Sequence, residues 1–249
     1  MENDRDAKDP EVIYEDDAIL VVNKPSGLLV HNDGRTTEKT VVDWFLTRVP
    51  TARGVGEIGY AQNGEQLERS GVVHRLDKET SGLLVLAKTQ EAFLHMKEEF
   101  QNHRVKKEYR TVVYGTMKEK WGTVDRAIGR SNRNFKLRSA QRGARGTLRE
   151  AITDWELIGQ STTHAYLKII PKTGRTHQIR VHMKAIGRPI VQDDLYAPED
   201  LLKGENLGFT RLALHAYRIK FFTLSGVEKV IMAPLPDDFE NASTALATA

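Results

Sequence analysis

The sequence predicts an α+β fold. Strand-like segments follow one another with only a few helical segments between them, which differs from the regular strand–helix alternation of a parallel α/β protein. About 39% of the 249 residues are hydrophobic, which is enough to build a sizeable core. Charged and small polar residues at both ends predict flexible tails at residues 1–11 and 241–249, on either side of one domain at residues 12–240.

The predicted elements come from the spacing of apolar residues and from turn residues. Alternating or continuous apolar runs predict strands at residues 12–14, 19–22, 28–30, 71–76, 82–87, 109–114, 122–128, 148–157, 165–170, 219–222 and 227–232. Apolar residues at helical spacing predict helices at residues 40–49, 91–100 and 176–186. Pro50 ends the first helix, and the second should turn Phe93, Leu94, Met96 and Phe100 inward.

Composition excludes several classes of protein. The chain has no cysteine, which rules out disulfides, thiol catalysis and cysteine-based zinc sites. No apolar run approaches the roughly 18 residues of a membrane span, and residues 1–17 are too polar and acidic for a secretory leader. We therefore expect a cytoplasmic protein that does not enter a membrane.

The charges are segregated along the chain. Residues 101–184 contain nineteen basic and six acidic residues, although the net charge of the whole chain is only +3. Within them, a basic arm at about residues 126–149 has no acid. Its eight basic residues are Arg126, Arg130, Arg133, Lys136, Arg138, Arg142, Arg145 and Arg149. Arginine can hold a phosphate through two parallel hydrogen bonds, so the arm predicts a polyanion partner. The alternative is a solvated basic face.

A polar loop between two strand-like runs is the first candidate site. It carries one carboxylate, Asp77, with Arg75 two residues before it and Lys78 directly after it. Strands at both ends would hold the side chains of the loop rigidly, as catalysis requires. Taken by itself, Asp77 remains ambiguous, because an aspartate in a turn is more often a structural cap than a catalytic group.

The start of the third predicted helix is the second candidate. Thr173 or Thr176 could cap it, and Arg180 lies one turn further on, where it could reach a carboxylate in a neighbouring loop. The alternative for Arg180 is a surface position on an amphipathic helix. His177 and His182 are five residues apart, which is not the spacing of a helical metal pair, so no metal site is predicted.

Five motifs in this order resemble the RluA type of pseudouridine synthase. They are YEDD with VNKPSGL at residues 14–17 and 22–28, HRLDKETSG at 74–82, KEY at 107–109, GRTHQIRVH at 174–182 and LALHA at 212–216. The resemblance implies a pseudouridine synthase fold, with a bent mixed β-sheet, flanking helices and loops, and a central catalytic cleft. It also implies that the S4-type RNA-binding module of larger family members is missing, and that the basic arm compensates for it.

The resemblance also implies roles for individual residues. Asp77 would be the catalytic carboxylate, Arg180 would pair with it, and Tyr109 would stack on the target base. Ile179 and Leu214 would be apolar walls of the base pocket, and Arg75 would fill the gap left by the flipped nucleotide. Arg133, Lys136 and Arg138 would grip the RNA backbone. The three catalytic side chains would then converge in one crevice.

The implied reaction isomerises uridines of tRNA or rRNA to pseudouridine. The N1–C1′ bond breaks, the uracil turns, and C5 joins C1′, in a nucleotide that must first leave its stack. Asp77 could attack C1′ or remove the C2′ proton, and the sequence leaves both routes open. No cofactor, metal or protein partner is expected, and a monomer suffices. The alternatives are an RNA-binding protein without catalysis and a metal-dependent nuclease.

Overall fold

A computed structural model describes residues 8–32, 34, 37–61, 64, 66–132, 137–140 and 144–247. The chain divides into two compact units. The first unit contains residues 1–105 and 218–233, and the second contains residues 106–217 and 234–249. The predicted domain at residues 12–240 therefore includes parts of both units.

Strands predominate in the described part of the chain. The strands are β1 (Glu11–Glu15), β2 (Ile19–Lys24), β3 (Gly59–Tyr60), β4 (Gln66–Leu67), β5 (Ser81–Ala87), β6 (Lys106–Tyr114), β7 (Trp121–Asp125), β8 (Ile128–Arg130), β9 (Arg138–Ser139), β10 (Arg145–Arg149), β11 (Ile152–Gln160), β12 (His164–Pro171), β13 (Leu214–Phe222) and β14 (Glu228–Met232). The helices are α1 (Val41–Arg48), α2 (Gln90–Gln101), α3 (Gln178–Ala185), α4 (Glu199–Leu202) and α5 (Asp237–Ala247), and a short 3-10 helix spans Pro50–Ala52.

The first unit is built on antiparallel strands. β2 pairs with β1 and with β5, whose seven residues are all buried, and the end of β13 pairs with β14. Helix α2 places Phe93 and Met96 in the same apolar cluster as Val85 of β5. Helix α1 begins with a capping box, in which Thr40 and Asp43 each accept a hydrogen bond from the other's backbone N–H.

The second unit is also antiparallel. β12 pairs with β6 and β11, and β11 pairs with β7. Helix α5 packs on β11 and β12, where Phe239 and Leu246 join the core of the unit. The basic arm contains a small separate sheet in the order β10–β8–β9 within the described residues.

Several sequence-based expectations about individual elements are wrong. Residues 28–30 form no strand, and Leu29 makes only an isolated bridge with Thr40. Residues 71–76 are not a strand, and Val72 forms only an isolated bridge with Leu86. Residues 241–247 are not a flexible tail, because they complete α5 and bury Ala242 and Leu246. Leu94 does not face the core but is 56% exposed on α2. Residues 1–7 of the predicted N-terminal tail lie outside the described residues, and β1 already begins at residue 11.

The three predicted helices are confirmed, with shifted ends. Helix α3 begins at residue 178, two residues later than predicted. Among the residues that the structure describes, no helix has both the length and the apolar character needed to cross a lipid bilayer.

Candidate active site

The Asp77 loop is held by the turn that follows β2. The Lys24 side chain is completely buried, and its ammonium group donates hydrogen bonds to the carbonyl oxygens of Pro25 (2.8 Å), Leu28 (2.8 Å) and Lys78 (2.9 Å). An ammonium group has three donors, so this arrangement satisfies all of them. Lys24 therefore joins the turn after β2 to the residue that follows Asp77.

Two further bonds connect the same segments. Ser26 donates through its hydroxyl to the Glu79 carbonyl oxygen at 2.7 Å, and the Gly27 amide donates to the Lys78 carbonyl oxygen at 2.9 Å. Within the loop, the Thr80 amide donates to the Asp77 carbonyl oxygen at 3.1 Å, which closes a turn. The main chain on the C-terminal side of Asp77 is thus fixed at three consecutive residues.

The N-terminal side of the loop is fixed by close packing instead of a strand. Gly71 has a φ of +74°, and a Cβ there would lie 2.6 Å from the Ala87 carbonyl oxygen and 2.7 Å from the Phe45 ring. Its own carbonyl oxygen accepts from the Ala87 amide at 2.8 Å. A side chain cannot fit at this position. The start of the loop is therefore fixed by its packing against β5 and α1, and Asp77 is half-buried at the turn of the loop.

In the second unit, Tyr109 lies in the middle of β6. It is opposite Ile169 in β12, is half-buried, and packs against the core of the unit. Two residues before it, burial lowers the pKa of the Lys107 ammonium to about 8. Ile179 and Leu214 are buried members of the same apolar cluster that Tyr109 contacts. The three residues assigned to base contact thus share one cluster of the second unit.

Arg180 is buried, so its interpretation as a surface arginine is wrong. It is 3% exposed and forms two hydrogen bonds with the fully buried Asp193, at 3.0 Å from Nε and 2.6 Å from Nη2. The guanidinium carbon also lies 5.3 Å from the centre of the Tyr196 ring. The bidentate bond uses two of the five N–H groups of the guanidinium and fixes its plane. Pairing of Arg180 with Asp77 stays a prediction.

The start of α3 is not capped by a threonine. The N-cap residue is His177, in the left-handed conformation with a φ of 57°, and no side chain caps the helix. The Gln178 side chain fixes the helix start instead. Its Oε1 accepts from the Thr173 hydroxyl (2.7 Å) and the Arg175 amide (3.0 Å), and its Nε2 donates to the Ile152 carbonyl oxygen (3.0 Å). Thr173 therefore stabilises the start of α3 through its hydrogen bond to the Gln178 side chain, and not as the N-cap residue.

The basic arm is attached to α3 at two places. Arg126 donates to the Ala185 carbonyl oxygen at 2.8 Å, and its own carbonyl oxygen is 2.9 Å from His182 Nε2. Further along the arm, the Tyr196 hydroxyl accepts from the Arg138 amide at 3.0 Å and lies 2.7 Å from His177 Nδ1. The helix that carries Arg180 therefore also anchors the arm.

The charged residues of the arm are only partly within the described residues. Arg145 and Arg149 are exposed on β10, and Arg138 is half-buried. Arg133 and Lys136 lie outside the described residues. In the described part of the chain, no group of three or more histidine, aspartate or glutamate side chains is arranged to hold a metal ion.

Three of these residues were missed from the sequence. Lys24 could have been found, because the two-residue period of β2 places it on the same face as Leu20 and Val22. Asp193 and Tyr196 gave no signal, because an acid and an aromatic residue in a short polar segment have many possible environments.

The chain is similar in sequence to known proteins. The family model described as RNA pseudouridylate synthase matches residues 18–185. An uncharacterized RNA pseudouridine synthase of Synechocystis is 35% identical over 234 residues, which cover 92% of this chain and 67% of the relative. Ribosomal large subunit pseudouridine synthase D of Xanthomonas campestris is 38% identical over 244 residues, which cover 94% of this chain and 69% of the relative.

Solved structures show the same fold. Human RNA pseudouridylate synthase domain containing 1 has a TM-score of 0.71 at 24% identity, over 98% of this chain and 90% of the human chain. Human RNA pseudouridylate synthase domain containing 4 has a TM-score of 0.70 at 23% identity, over 96% of this chain and 93% of the human chain. The predicted fold class is therefore confirmed.

Proposed function

Because the chain belongs to the RNA pseudouridylate synthase family, which isomerises uridine to pseudouridine in RNA, we propose that Asp77 is the carboxylate that performs this reaction. The observation that carries the proposal is the fixed loop around Asp77. Its main chain is bound by Lys24, Ser26 and Gly27, while the Asp77 side chain is only half-buried. A catalytic group needs this combination of a fixed position and access for the substrate.

The chemistry requires one carboxylate and no added reagent. The N1–C1′ bond breaks, N1 gains a proton, C5 bonds to C1′, and the C5 proton is released. Asp77 either attacks C1′, as in a retaining glycosidase, or removes the C2′ proton and returns it. No water attacks and no group leaves for good, so neither route needs a second acid, a metal or a cofactor.

The remaining proposed roles concern access to the uridine. The target nucleotide must leave its stack at a cost of a few kcal/mol, and the exposed Arg75 fills the space it leaves. Tyr109 stacks on the uracil, which is worth about 1–3 kcal/mol and leaves the ring able to turn in its plane. Ile179 and Leu214 form apolar walls. Arg180, held by Asp193, supplies positive charge that favours the ionised carboxylate.

We propose RNA of the large ribosomal subunit as the substrate. Several relatives at 34–38% identity carry names that refer to that subunit. We also propose that the enzyme works as a monomer in the cytoplasm, without an obligatory protein partner.

Release of tritium tests the reaction. RNA tritiated at uracil C5 is prepared as large-subunit rRNA and, separately, as tRNA, and each is incubated with the enzyme without added metal. Wild type should release tritium from the rRNA, and Asp77→Asn should release none. Glu79→Gln is the matched control, because it removes an exposed carboxylate two residues away. Equal release by wild type and Asp77→Asn, or no release from either RNA, contradicts the proposal.

The arm is tested by its dependence on salt. The triple variant Arg133→Ala, Lys136→Ala, Arg138→Ala should bind a labelled rRNA fragment more weakly, with a shallower slope of log Kd against log salt. The control replaces Lys39, Arg53 and Lys203, three cations that already form exposed ion pairs, and it should bind like wild type. An unchanged slope in the arm variant excludes a grip on the RNA backbone.

A further inference from the structure

A surface pocket of about 260 Å³ lies in the first unit beside the segment that leads to Asp77. Its lining includes Arg69, His74 and Arg75. None of the roles proposed above uses this pocket, although Arg75 is at its edge.

Arg69 is the unusual residue of the pocket. Its Nε atom is completely buried, and no described residue accepts a hydrogen bond from it. The preceding acid, Glu68, is turned elsewhere and binds Arg53 at 3.1 Å and the Ser70 hydroxyl at 2.5 Å. A buried donor without an acceptor costs about 1–3 kcal/mol, so Arg69 retains a strong demand for an acceptor.

The Arg69 side chain is also fixed in place. It lies directly on the main chain of β3, because a Cβ added to Gly59 would be 2.6 Å from Arg69 Nε and 2.8 Å from its Cδ. The stem of the arginine is therefore ordered before any ligand arrives. Ordering a long side chain is one of the costs of binding, and here it is largely avoided.

The charge at the pocket is positive. Glu57 lines the pocket, but Lys97 is bound to it. His74 Nε2 accepts a hydrogen bond from the Val85 amide at 3.0 Å, so the ring carries its proton on Nδ1 and is neutral. Arg69 and Arg75 are the two arginines of the lining, and neither forms an ion pair with a described acid. The pocket therefore suits an anion.

We propose that this pocket binds a phosphodiester group of the RNA strand that carries the target uridine, with Arg69 as the main ligand. The proposal rests on the proposed function, because Arg75 is the residue assigned to the gap beside that uridine. The two terminal Nη groups of a guanidinium can hold two phosphate oxygens, and these bonds are charge-assisted.

Affinity for a labelled oligouridylate of about twelve nucleotides, measured at roughly 50–200 mM KCl, tests the proposal. Arg69→Met should weaken binding about tenfold, as expected for one lost charge-assisted contact, and should lower the salt slope by about one. Arg69→Lys should keep the slope and bind more weakly than wild type, because it keeps the charge and loses the fork. Arg53→Met is the control and should match wild type, since Arg53 is exposed and paired with Glu68.

The possible outcomes separate this site from the catalytic proposal. If wild type releases tritium from rRNA but Arg69→Met binds with unchanged affinity and slope, the phosphate site is wrong and the synthase remains. If wild type releases no tritium but Arg69→Met lowers the slope, the reaction is wrong and the RNA phosphate site stands. If Arg69→Met and Arg69→Lys both lower the urea midpoint but keep the wild-type slope, Arg69 is only structural and the proposal fails. Displacement of the RNA from wild type, but not from Arg69→Met, by inorganic phosphate would support it.

Discussion

Asp193 and Asp194 are neighbours with opposite environments, and they allow a clean test of the Arg180 ion pair. Asp193 is fully buried against Arg180, whereas Asp194 is exposed. Asp193→Asn leaves a buried guanidinium with a neutral partner, so we expect a loss of about 3–5 kcal/mol in the free energy of unfolding. Asp194→Asn should change it by less than about 0.5 kcal/mol. Urea unfolding measures both, and equal stability of the two variants would contradict the structure.

Lys24 provides the second prediction at this scale. Lys24→Met keeps the volume of the side chain but removes three hydrogen bonds. The carbonyl oxygens of Pro25 and Leu28 lose this donor, whereas that of Lys78 keeps the Gly27 amide. We expect a loss of about 3 kcal/mol or more, since each buried unsatisfied group costs about 1–3 kcal/mol. We also expect slower tritium release, because the Asp77 loop loses its link to the turn after β2. Lys39→Met is the control, since Lys39 forms only an exposed ion pair with Asp9. A Lys24 variant as stable as this control would refute the assigned role.

The same residues show what the sequence can reveal about a site. Asp77 and Arg180 were identified by motif, because their neighbours are specific enough to imply a family. The residues that hold these two in place were not identified from the sequence. The two-residue period of β2 could have predicted that Lys24 is buried. The partner of Arg180 could not be predicted, because the sequence does not show which of the adjacent carboxylates Asp193 and Asp194 turns inward.

At the scale of elements, the attachment of the basic arm to α3 makes a prediction. Tyr196→Phe removes the hydroxyl that accepts from the Arg138 amide and contacts His177. The Arg138 amide should therefore exchange its hydrogen faster, and the protein should lose about 1 kcal/mol of stability. Hydrogen exchange followed by mass spectrometry of the arm measures the first effect. Tyr60→Phe is the control because Tyr60 is 64% exposed, and equal exchange in both variants would argue against the attachment.

Errors in predicted elements have local causes. Residues 71–76 are apolar enough for a strand, but Gly71 has a φ of +74°, which lies outside the extended range of a regular ladder. Helix α5 was missed because small polar residues resemble a tail. Its apolar face, with Phe239, Ala242 and Leu246 at helical spacing, was visible in the sequence. That face is buried because Gly159 lets the main chain of α5 approach β11, a contact that no local pattern reveals.

At the scale of the whole molecule, the order of the motifs predicted more than any single segment did. The α+β class and the pseudouridine synthase fold are confirmed by the family match and by the solved structures. The division of the chain into two compact units was not foreseen, because β13 contributes residues to both and no linker marks the boundary.

Buried histidines predict that acid destabilises the second unit. Burial lowers the pKa of His164 and His182, and it lowers that of His215 to about 3. In the unfolded chain a histidine has a pKa of about 6.5, so below that pH the unfolded state binds more protons than the folded state. Stability must therefore fall as the pH falls from about 6.5 towards 3. Each fully neutral buried histidine contributes up to about 1.4 kcal/mol per pH unit to this slope.

The contribution of His215 can be isolated by substitution. His215→Gln should be less stable than wild type at pH 7.5, but its stability should fall less steeply between pH 6 and pH 4, by up to about 1.4 kcal/mol per pH unit. Urea unfolding followed by tryptophan fluorescence reports on the second unit through Trp121 and Trp155. The exposed His103, replaced by Asn to suit its positive φ of 56°, is the surface control. Parallel pH profiles for wild type and His215→Gln would mean that His215 takes up its proton equally in both states, and the lowered pKa would then be wrong.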